Sequence, residues 1–154
     1  MRAASTWSFR PATEADLPFL IALRLSTMVP QFARQGIVLG DEEHRLRAGF
    51  RLDAARIIER DGMPIGVVKV LQDGATWTIE QFQIGPAHQG GGLGAEVLRT
   101  VIAEARAAGA LLRLSVLKQN PAARLYARLG FRTLAESANS YKMTFVGTET
   151  PAGK

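Results

Sequence analysis

The chain has 154 residues, of which 47% are hydrophobic and 21% charged, and this length and composition are typical of one globular domain with its own core. It has no cysteine and two separated histidines, which excludes disulfides, thiolate zinc sites and a cysteine nucleophile and predicts no metal site. The net charge of +5 comes with arginines spaced singly rather than in a basic run with aromatics, so we expect no nucleic acid partner and favour an acidic cofactor.

The chain also lacks the signals of membrane insertion or secretion. No apolar run approaches the roughly 20 residues of a membrane span, and the first twelve residues have no apolar central segment. We therefore expect no membrane partner and a cytoplasmic location. A single domain is predicted over residues 1–147, with a frayed tail over 148–154, and a homodimer is left open.

The first half of the chain predicts one strand, two helices and three further strands. WSFRPAT reads as a strand, and Thr13 stands as the N-cap of a helix whose apolar spacing continues to Met28. A second helix is predicted over residues 41–50. The dipeptides Asp61-Gly62 and Asp73-Gly74 are hairpin turn signals, which divide residues 55–84 into three antiparallel strands.

The second half begins with a glycine-rich loop, because four of the five residues 90–94 are glycine. An amphipathic helix starts at Leu93 and ends at Gly109, and LLRLSVL then forms a buried strand that completes a right-handed crossover. A short helix follows, capped by Asn120 and stopped by Gly130. Two last strands are predicted around FRTL and YKMTFV.

Three uses of the glycine loop can be compared. Gly90, Gly92 and Ala95 fit the dinucleotide fingerprint weakly, because antiparallel strands precede them and no acidic residue ends the next strand. A P-loop is excluded, since no lysine followed by serine or threonine comes after the glycines. What remains is a set of backbone N–H groups at a helix N-terminus that converge on a phosphate.

The segment IEQFQIGPAHQGGGLGAEVL resembles the acyl-CoA-binding motif of the GNAT superfamily of N-acetyltransferases, with its motif positions on Gln89, Gly92 and Gly94. LKQNPAARLYARLGF resembles the second conserved block of the family, and FRPATEADLPFL resembles its opening strand and helix. The resemblance covers nearly the whole chain. It implies an α+β fold with a twisted, mostly antiparallel sheet of six to seven strands, a parallel pair splayed at strands 4 and 5, and about four flanking helices.

The resemblance also implies acetyl-CoA as cosubstrate, without a metal. Its pyrophosphate would lie against backbone N–H groups of the glycine loop, and its pantetheine arm would pair with the fourth strand like an added strand. Asn120 would contact that arm as well as cap its helix. No basic residue can be assigned to the 3′-phosphate. The implied cofactor-binding residues are Phe82, Gln83, Ile84, Gln89, Gly90, Gly91, Gly92, Leu93, Gly94 and Asn120.

The implied activity is direct transfer of an acetyl group to a primary amine of a small molecule or peptide. Glu80 is the candidate general base, or else Gln81 or Gln83 orients a water in that role. Tyr126 matches the tyrosine of the family that protonates the departing thiolate, and a backbone N–H near Ile84 would polarise the thioester carbonyl. The alternatives are a non-catalytic acyl-CoA sensor and a nucleotide-dependent oxidoreductase.

Acceptor specificity is expected from the first two helices and their connection. Met28, Gln31 and Phe32 are candidates there, and the acidic residues 41–43 either attract a cationic amine or complement the helix dipole. Trp77 and Phe82 are expected to be packing residues, or else to border the acceptor pocket. His44 and His88 are expected at the surface.

Overall fold

The computed structural model describes residues 6–147, so the tail predicted for 148–154 lies outside the described residues. One seven-stranded sheet has the order β1-β2-β3-β4-β5-β7-β6. Neighbouring strands are antiparallel except for the parallel pair β4 and β5. The strands are β1 (Trp7–Pro11), β2 (Ala55–Arg60), β3 (Met63–Asp73), β4 (Thr76–Ile84), β5 (Leu111–Leu117), β6 (Phe131–Glu136) and β7 (Ser140–Phe145).

Four α-helices flank this sheet in the described chain, which confirms the predicted fold class. They are α1 (Leu17–Arg34), α2 (Asp41–Gly49), α3 (Leu93–Ala107) and α4 (Ala122–Leu129). Successive residues of β3 show how the two faces are covered: Val67 packs with Leu20 and Leu23 of α1, whereas Val68 packs with Leu98 of α3. No helix among residues 6–147 combines the length and apolar character needed to cross a membrane.

The predicted helix ends are confirmed at Gly109 and at Gly130, which caps α4 with a φ of +113°, and one helix is longer than predicted. Gly109 has a φ of +67°, and the N–H of Ala110 bonds the carbonyl of Ala105 at 2.8 Å, which closes α3 in a Schellman motif. By contrast, α1 does not end near Met28 but continues through Pro30 to Arg34. The added turns bury Phe32, which offsets the hydrogen bond that proline removes.

A β-bulge changes the direction of side chains in β4. Lys69 of β3 pairs with Gln81 and the next residue, Val70, pairs with Ile79, so Glu80 is an extra residue in β4. Ile79 packs on the α3 face of the sheet before the bulge, and Phe82 packs on that same face after it. The bulge thereby reverses the alternation of inward and outward positions along the strand.

The sheet opens directly after the bulge. Pairing between β4 and β5 ends at Ile79 and Leu114, although β4 continues to Ile84 and β5 to Leu117. Backbone groups of residues 80–84 on this side therefore have no strand partner in β5. This separation is the predicted splay of strands 4 and 5, and it creates a cleft in the middle of the sheet.

Candidate active site

Two adjoining cavities occupy the cleft. One, which we call the glycine-loop cavity, has a volume of about 450 Å³ and lies between the glycine loop and α4. The other, the inner cavity, has a volume of about 390 Å³ and lies between β4, β5 and the helices α1 and α2. The two are neighbours, because they share the lining residues Met28, Phe82, Gln83 and Asn120.

The glycine loop leaves open space at the N-terminus of α3. Gly90 and Gly92 have φ values of +87° and +83°, and a Cβ atom added at either would meet nothing within 4 Å. The Gln89 side chain fixes the loop, since its Nε2 donates a hydrogen bond to the carbonyl of Ile84 at 2.7 Å. Gln89, Gly90, Gly92 and Gly94 line the glycine-loop cavity. Gly91 and Leu93, the other two predicted loop residues, do not line this cavity, and the side chain of Leu93 is buried in the core.

The predicted strand residues lie along the unpaired edge of β4. Phe82 packs against the core beneath the cleft, and a Cβ added at Gly94 would lie 3.6 Å from its ring. Gln83 is buried and lines both cavities, whereas Ile84 lines the glycine-loop cavity. The structure thus brings the strand edge and the glycine loop to one wall of the cleft. Phe82 and Trp77 are packing residues, as expected.

Asn120, just before α4, and Tyr126 on α4 reach the cleft from its other side. The Oδ1 of Asn120 accepts a hydrogen bond from the N–H of Ala122 at 2.9 Å, which confirms its capping role. Tyr126 is buried, lines the inner cavity and packs edge-on against Phe131. Burial raises the pKa of Tyr126, so the hydroxyl keeps its proton at neutral pH. Within residues 6–147, no group hydrogen bonds to that hydroxyl.

Glu80 and Gln81 differ in what they contact, although they are adjacent. The bulge leaves Glu80 exposed at the wall of the inner cavity. Its negative charge acts to raise the pKa of both Arg24 and Lys69. Gln81 is buried, and its Nε2 donates a hydrogen bond to the carbonyl of Arg47 in α2 at 3.0 Å. The Gln81 amide nitrogen is therefore engaged in holding α2.

Residues 23–131 match the family model described as the acetyltransferase (GNAT) family, which is more than half of the chain. The chain belongs to the GNAT family. It is therefore an acyltransferase, and one parallel pair in a seven-stranded sheet is not the doubly wound sheet of a dinucleotide enzyme. The oxidoreductase alternative is set aside on these two findings. No curated protein matches the chain.

Solved structures of other GNAT proteins share the fold. The PaiA N-acetyltransferase from Thermoplasma acidophilum in complex with coenzyme A has a TM-score of 0.73 and 14% identity, over 90% of this chain and 98% of that chain. The ribosomal-protein-S18-alanine N-acetyltransferase from Escherichia coli has a TM-score of 0.71 and 17% identity, over 97% and 99% of the two chains. N-acetylglutamate synthase from Neisseria gonorrhoeae, complexed with coenzyme A and N-acetyl-glutamate, has a TM-score of 0.67 and 22% identity, over 94% and 36%. At these identities the likenesses show the fold alone.

One expectation about the GNAT chain was wrong: His44 is not at the surface. It is 1% exposed, and its Nδ1 accepts a hydrogen bond from the Nε of Arg24 at 3.1 Å. Burial, together with the charges of Arg24 and Arg47, lowers the pKa of His44. His44 is buried because α2 packs directly on α1, a contact that no local pattern in either helix specifies.

Arg24 is the functional candidate that sequence reasoning missed. It is 4% exposed and lines the inner cavity, and burial lowers its pKa to about 10. A signal was present, because Arg24 lies one helical turn from both Leu20 and Met28, where the spacing predicts an apolar residue. An arginine in such a position is buried only with a partner or with a function.

Lys69 is a second buried cation, on the face of β3 that α2 covers. It is 0% exposed, and its ammonium donates hydrogen bonds to the carbonyls of Arg47, Ala48 and Phe50 at the C-terminus of α2. Burial lowers the pKa of Lys69 to about 8. Lys69 satisfies carbonyls that the helix end leaves without partners, and it anchors α2 beside the inner cavity.

The other residues named for the acceptor divide between the two cavities. Met28 and Phe32 line the inner cavity, and Met28 and Gln31 line the glycine-loop cavity. The acidic residues 41–43 lie exposed in the first turn of α2 and line neither cavity, which fits the helix-dipole interpretation. Arg128 of α4, which the sequence did not single out, lines the glycine-loop cavity. Residues 6–147 contain no group of three or more His, Cys, Asp or Glu that could hold a metal ion.

Proposed function

We propose that the protein transfers an acetyl group from acetyl-CoA directly to a primary amine of a small molecule or peptide. The observation that carries the proposal is the cleft with its two adjoining cavities at the splay of β4 and β5. An open glycine loop lines one end of it, and a carboxylate, Glu80, and a protonated phenol, Tyr126, line the other. These groups provide what acyl transfer to an amine uses: an anion-binding site for the cosubstrate, a base and an acid.

The glycine-loop cavity would receive coenzyme A. Backbone N–H groups from Gln89 to Gly94 lie at the N-terminus of α3, where the helix dipole favours an anion, and the space a side chain would fill is open. The unpaired edge at residues 82–84 offers backbone groups to the pantetheine amides, with Asn120 beside it. Arg128 lines this cavity and would meet a phosphate. Acetyl-CoA supplies the acetyl group as a thioester.

Glu80 addresses the protonation state of the acceptor. An alkyl amine with a pKa near 10.4 is almost wholly charged at pH 7, and freeing it costs about 4 to 5 kcal/mol. Glu80 would accept this proton, after which the amine nitrogen forms a bond to the acetyl carbon. Gln83 lines the cavity at a place where it could hold a water for the same task, whereas the amide nitrogen of Gln81 is engaged with Arg47.

Tyr126 addresses the leaving group. As the bond between the acetyl carbon and sulfur breaks, the sulfur takes up the electron pair, and the Tyr126 hydroxyl would donate its proton there. One feature supports this role: among residues 6–147 no group hydrogen bonds to the hydroxyl, so its proton is free for the sulfur. Burial raises the pKa of Tyr126, which by itself makes the phenol a weaker acid. The nitrogen gives up a second proton as the carbon–sulfur bond breaks and the amide forms, and Tyr126 recovers a proton from the cleft. Counted from the ammonium, two protons leave the nitrogen, one reaches the sulfur and one is released to solvent.

A coenzyme A release assay tests the proposal. The purified protein is incubated with acetyl-CoA and a panel of amines, amino acids, polyamines, antibiotics and peptides with free N-termini, and acetylated products are identified by mass spectrometry. Release that depends on an acceptor and is lost in Gly92→Trp and Tyr126→Phe supports direct transfer. Binding of acetyl-CoA without release over the whole panel, unaffected by Tyr126→Phe, would instead favour a non-catalytic acyl-CoA sensor.

A further inference from the structure

The inner cavity has a buried cation in its wall that forms no ion pair with a carboxylate of residues 6–147. Arg24 is 4% exposed, and among the described residues it forms no ion pair with Asp or Glu. A guanidinium carries five N–H donors, and within residues 6–147 only the Nε–H is used, in the bond to His44. A buried charge without a counter-charge is costly, so its presence at a cavity needs an explanation.

The groups around Arg24 position it without neutralising it. His44 accepts through Nδ1, so that nitrogen is unprotonated and the ring is a neutral acceptor, held neutral by burial and by the two arginines. Arg47 adds a second positive charge, and its own Nε is paired with Glu43 at 2.8 Å. Glu80 acts on Arg24 through its charge but makes no ion pair with it. The helix α1 and His44 therefore hold the guanidinium in place with its remaining donors available.

The same cavity contains the proposed base. Arg24 and Arg47 come from the helices and Glu80 from β4, and all three line a space of about 390 Å³. This is the size of site that takes a small molecule. A cation and a carboxylate within one small cavity are complementary to a ligand that carries an anion and an amine. The planar guanidinium fork matches a carboxylate in a bidentate arrangement.

We propose that the acceptor is a free amino acid or a close analogue, whose carboxylate binds Arg24 while its amine reaches Glu80. This inference rests on the proposed acetyl transfer and narrows its acceptor class. Amines without a carboxylate, including polyamines, are then poor acceptors, because they leave Arg24 unpaired. Cationic groups besides the reacting amine are disfavoured further by Arg47.

Matched pairs of acceptors test this inference. Each amino acid of a standard set is compared with its own carboxamide, in wild type, Arg24→Gln, Arg24→Lys and the control Arg45→Gln, by kcat/KM for coenzyme A release. Arg45 is an exposed residue of α2 that lines neither cavity. The acid-to-amide ratio is taken within each variant, so a partly unfolded variant does not distort it. The amine of the carboxamide has the lower pKa, so more of it is free to react at neutral pH, and reactivity alone would favour the carboxamide over the acid.

We expect wild type and Arg45→Gln to prefer the acid of the best pair by about 30-fold or more, which is the effect of losing one partner of a buried charge pair. In Arg24→Gln the ratio falls to near one, and Arg24→Lys recovers only part of it because the fork is lost. A wild-type enzyme that acetylates carboxamides as well as acids, or an unchanged ratio in Arg24→Gln, overturns the inference.

Binding measurements distinguish this failure from failure of the proposed function. Titration calorimetry with acids and carboxamides, with and without coenzyme A, reports the carboxylate preference even if no acceptor turns over. Absence of acetyl-CoA binding and turnover would defeat the proposed function. Absence of carboxylate-selective binding in a protein that does bind acetyl-CoA would defeat the amino acid proposal alone.

Discussion

Replacing Gly92 with tryptophan would both strain the backbone of the glycine loop and obstruct a ligand, and the matched substitution of Gly36 separates these two effects. Gly92 has a φ of +83° and lines the glycine-loop cavity. Gly36, two residues after the end of α1, has a φ of +72° and lines neither cavity. A Cβ at either glycine would meet nothing within 4 Å, so neither substitution creates a clash in the free protein. Gly36→Trp is therefore a control with the same backbone strain and no ligand nearby.

The two variants should lose the same stability and differ in acetyl-CoA affinity. A residue with a Cβ in the left-handed region costs about 1 to 2 kcal/mol, which corresponds to a fall in Tm of about 2 to 8 °C for a domain of this size. Gly92→Trp additionally fills the space in front of the α3 N-terminus. Losing a charge-assisted hydrogen bond there costs about 1.5 to 3 kcal/mol, so the Kd for acetyl-CoA should rise by at least about 10-fold.

Thermal unfolding measures the first effect, and titration calorimetry with acetyl-CoA well below the Tm measures the second. We expect both variants to unfold at similarly lowered temperatures, with Gly36→Trp retaining wild-type affinity. If Gly92→Trp binds acetyl-CoA as tightly as Gly36→Trp does, then the loop is not the phosphate seat and its glycines serve only the turn. Equal loss of affinity in both variants would point to strain rather than obstruction.

Three further changes test the proposed chemistry and the buried cation. Glu80→Gln should lower kcat/KM about 100-fold at pH 7, and this loss should shrink toward pH 9 because the fraction of free amine rises. The exposed control Glu14→Gln should keep the wild-type pH profile. A loss in kcat/KM that does not change with pH would contradict a base role. Tyr126→Phe should lower kcat about 100-fold while leaving the KM for acetyl-CoA and the Tm almost unchanged, and an unchanged kcat in steady-state assays would assign the proton to another donor. For Lys69, the folded pKa of about 8 lies below the ordinary 10.5, so the unfolded chain binds more protons between those pH values and stability should rise with pH by at most about 3 kcal/mol. Urea unfolding of Lys69→Met should lack this rise, and a rise of equal size in the variant would mean that other groups cause it.

The parts of the fold that depend on local chemistry were predictable from the sequence. Asp61-Gly62 predicted a hairpin, and both residues have the positive φ that a tight turn between β2 and β3 requires. Gly109 predicted the end of α3 because the left-handed conformation of a helix cap favours glycine. Asn120 predicted a cap and provides one. In each case a few adjacent residues decide the backbone conformation.

The bulge at Glu80 could not be predicted in this way. Strict alternation along β4 puts Ile79 and Gln81 on one face, whereas the structure puts Ile79 against α3 and Gln81 under α2. The reversal depends on pairing with β3, where Lys69 must face the C-terminus of α2 to satisfy its carbonyls. A register set by a partner strand leaves no trace in the composition of β4 itself.

One end of the cleft is built from adjacent residues and the other from tertiary contacts. This difference explains why the sequence indicated a donor but no acceptor. The glycine-loop cavity is built from a contiguous motif and the adjoining strand edge, so a resemblance over a short segment was enough to predict it. The inner cavity is built where α1 crosses α2 and both meet the opened sheet, and its charge comes from Arg24 held by His44 across two helices. Because this end of the cleft is assembled from several elements, we expect the residues that select the acceptor to lie in tertiary contacts rather than in one short motif. A buried arginine on an otherwise apolar helix face is the trace that such contacts leave in a single sequence.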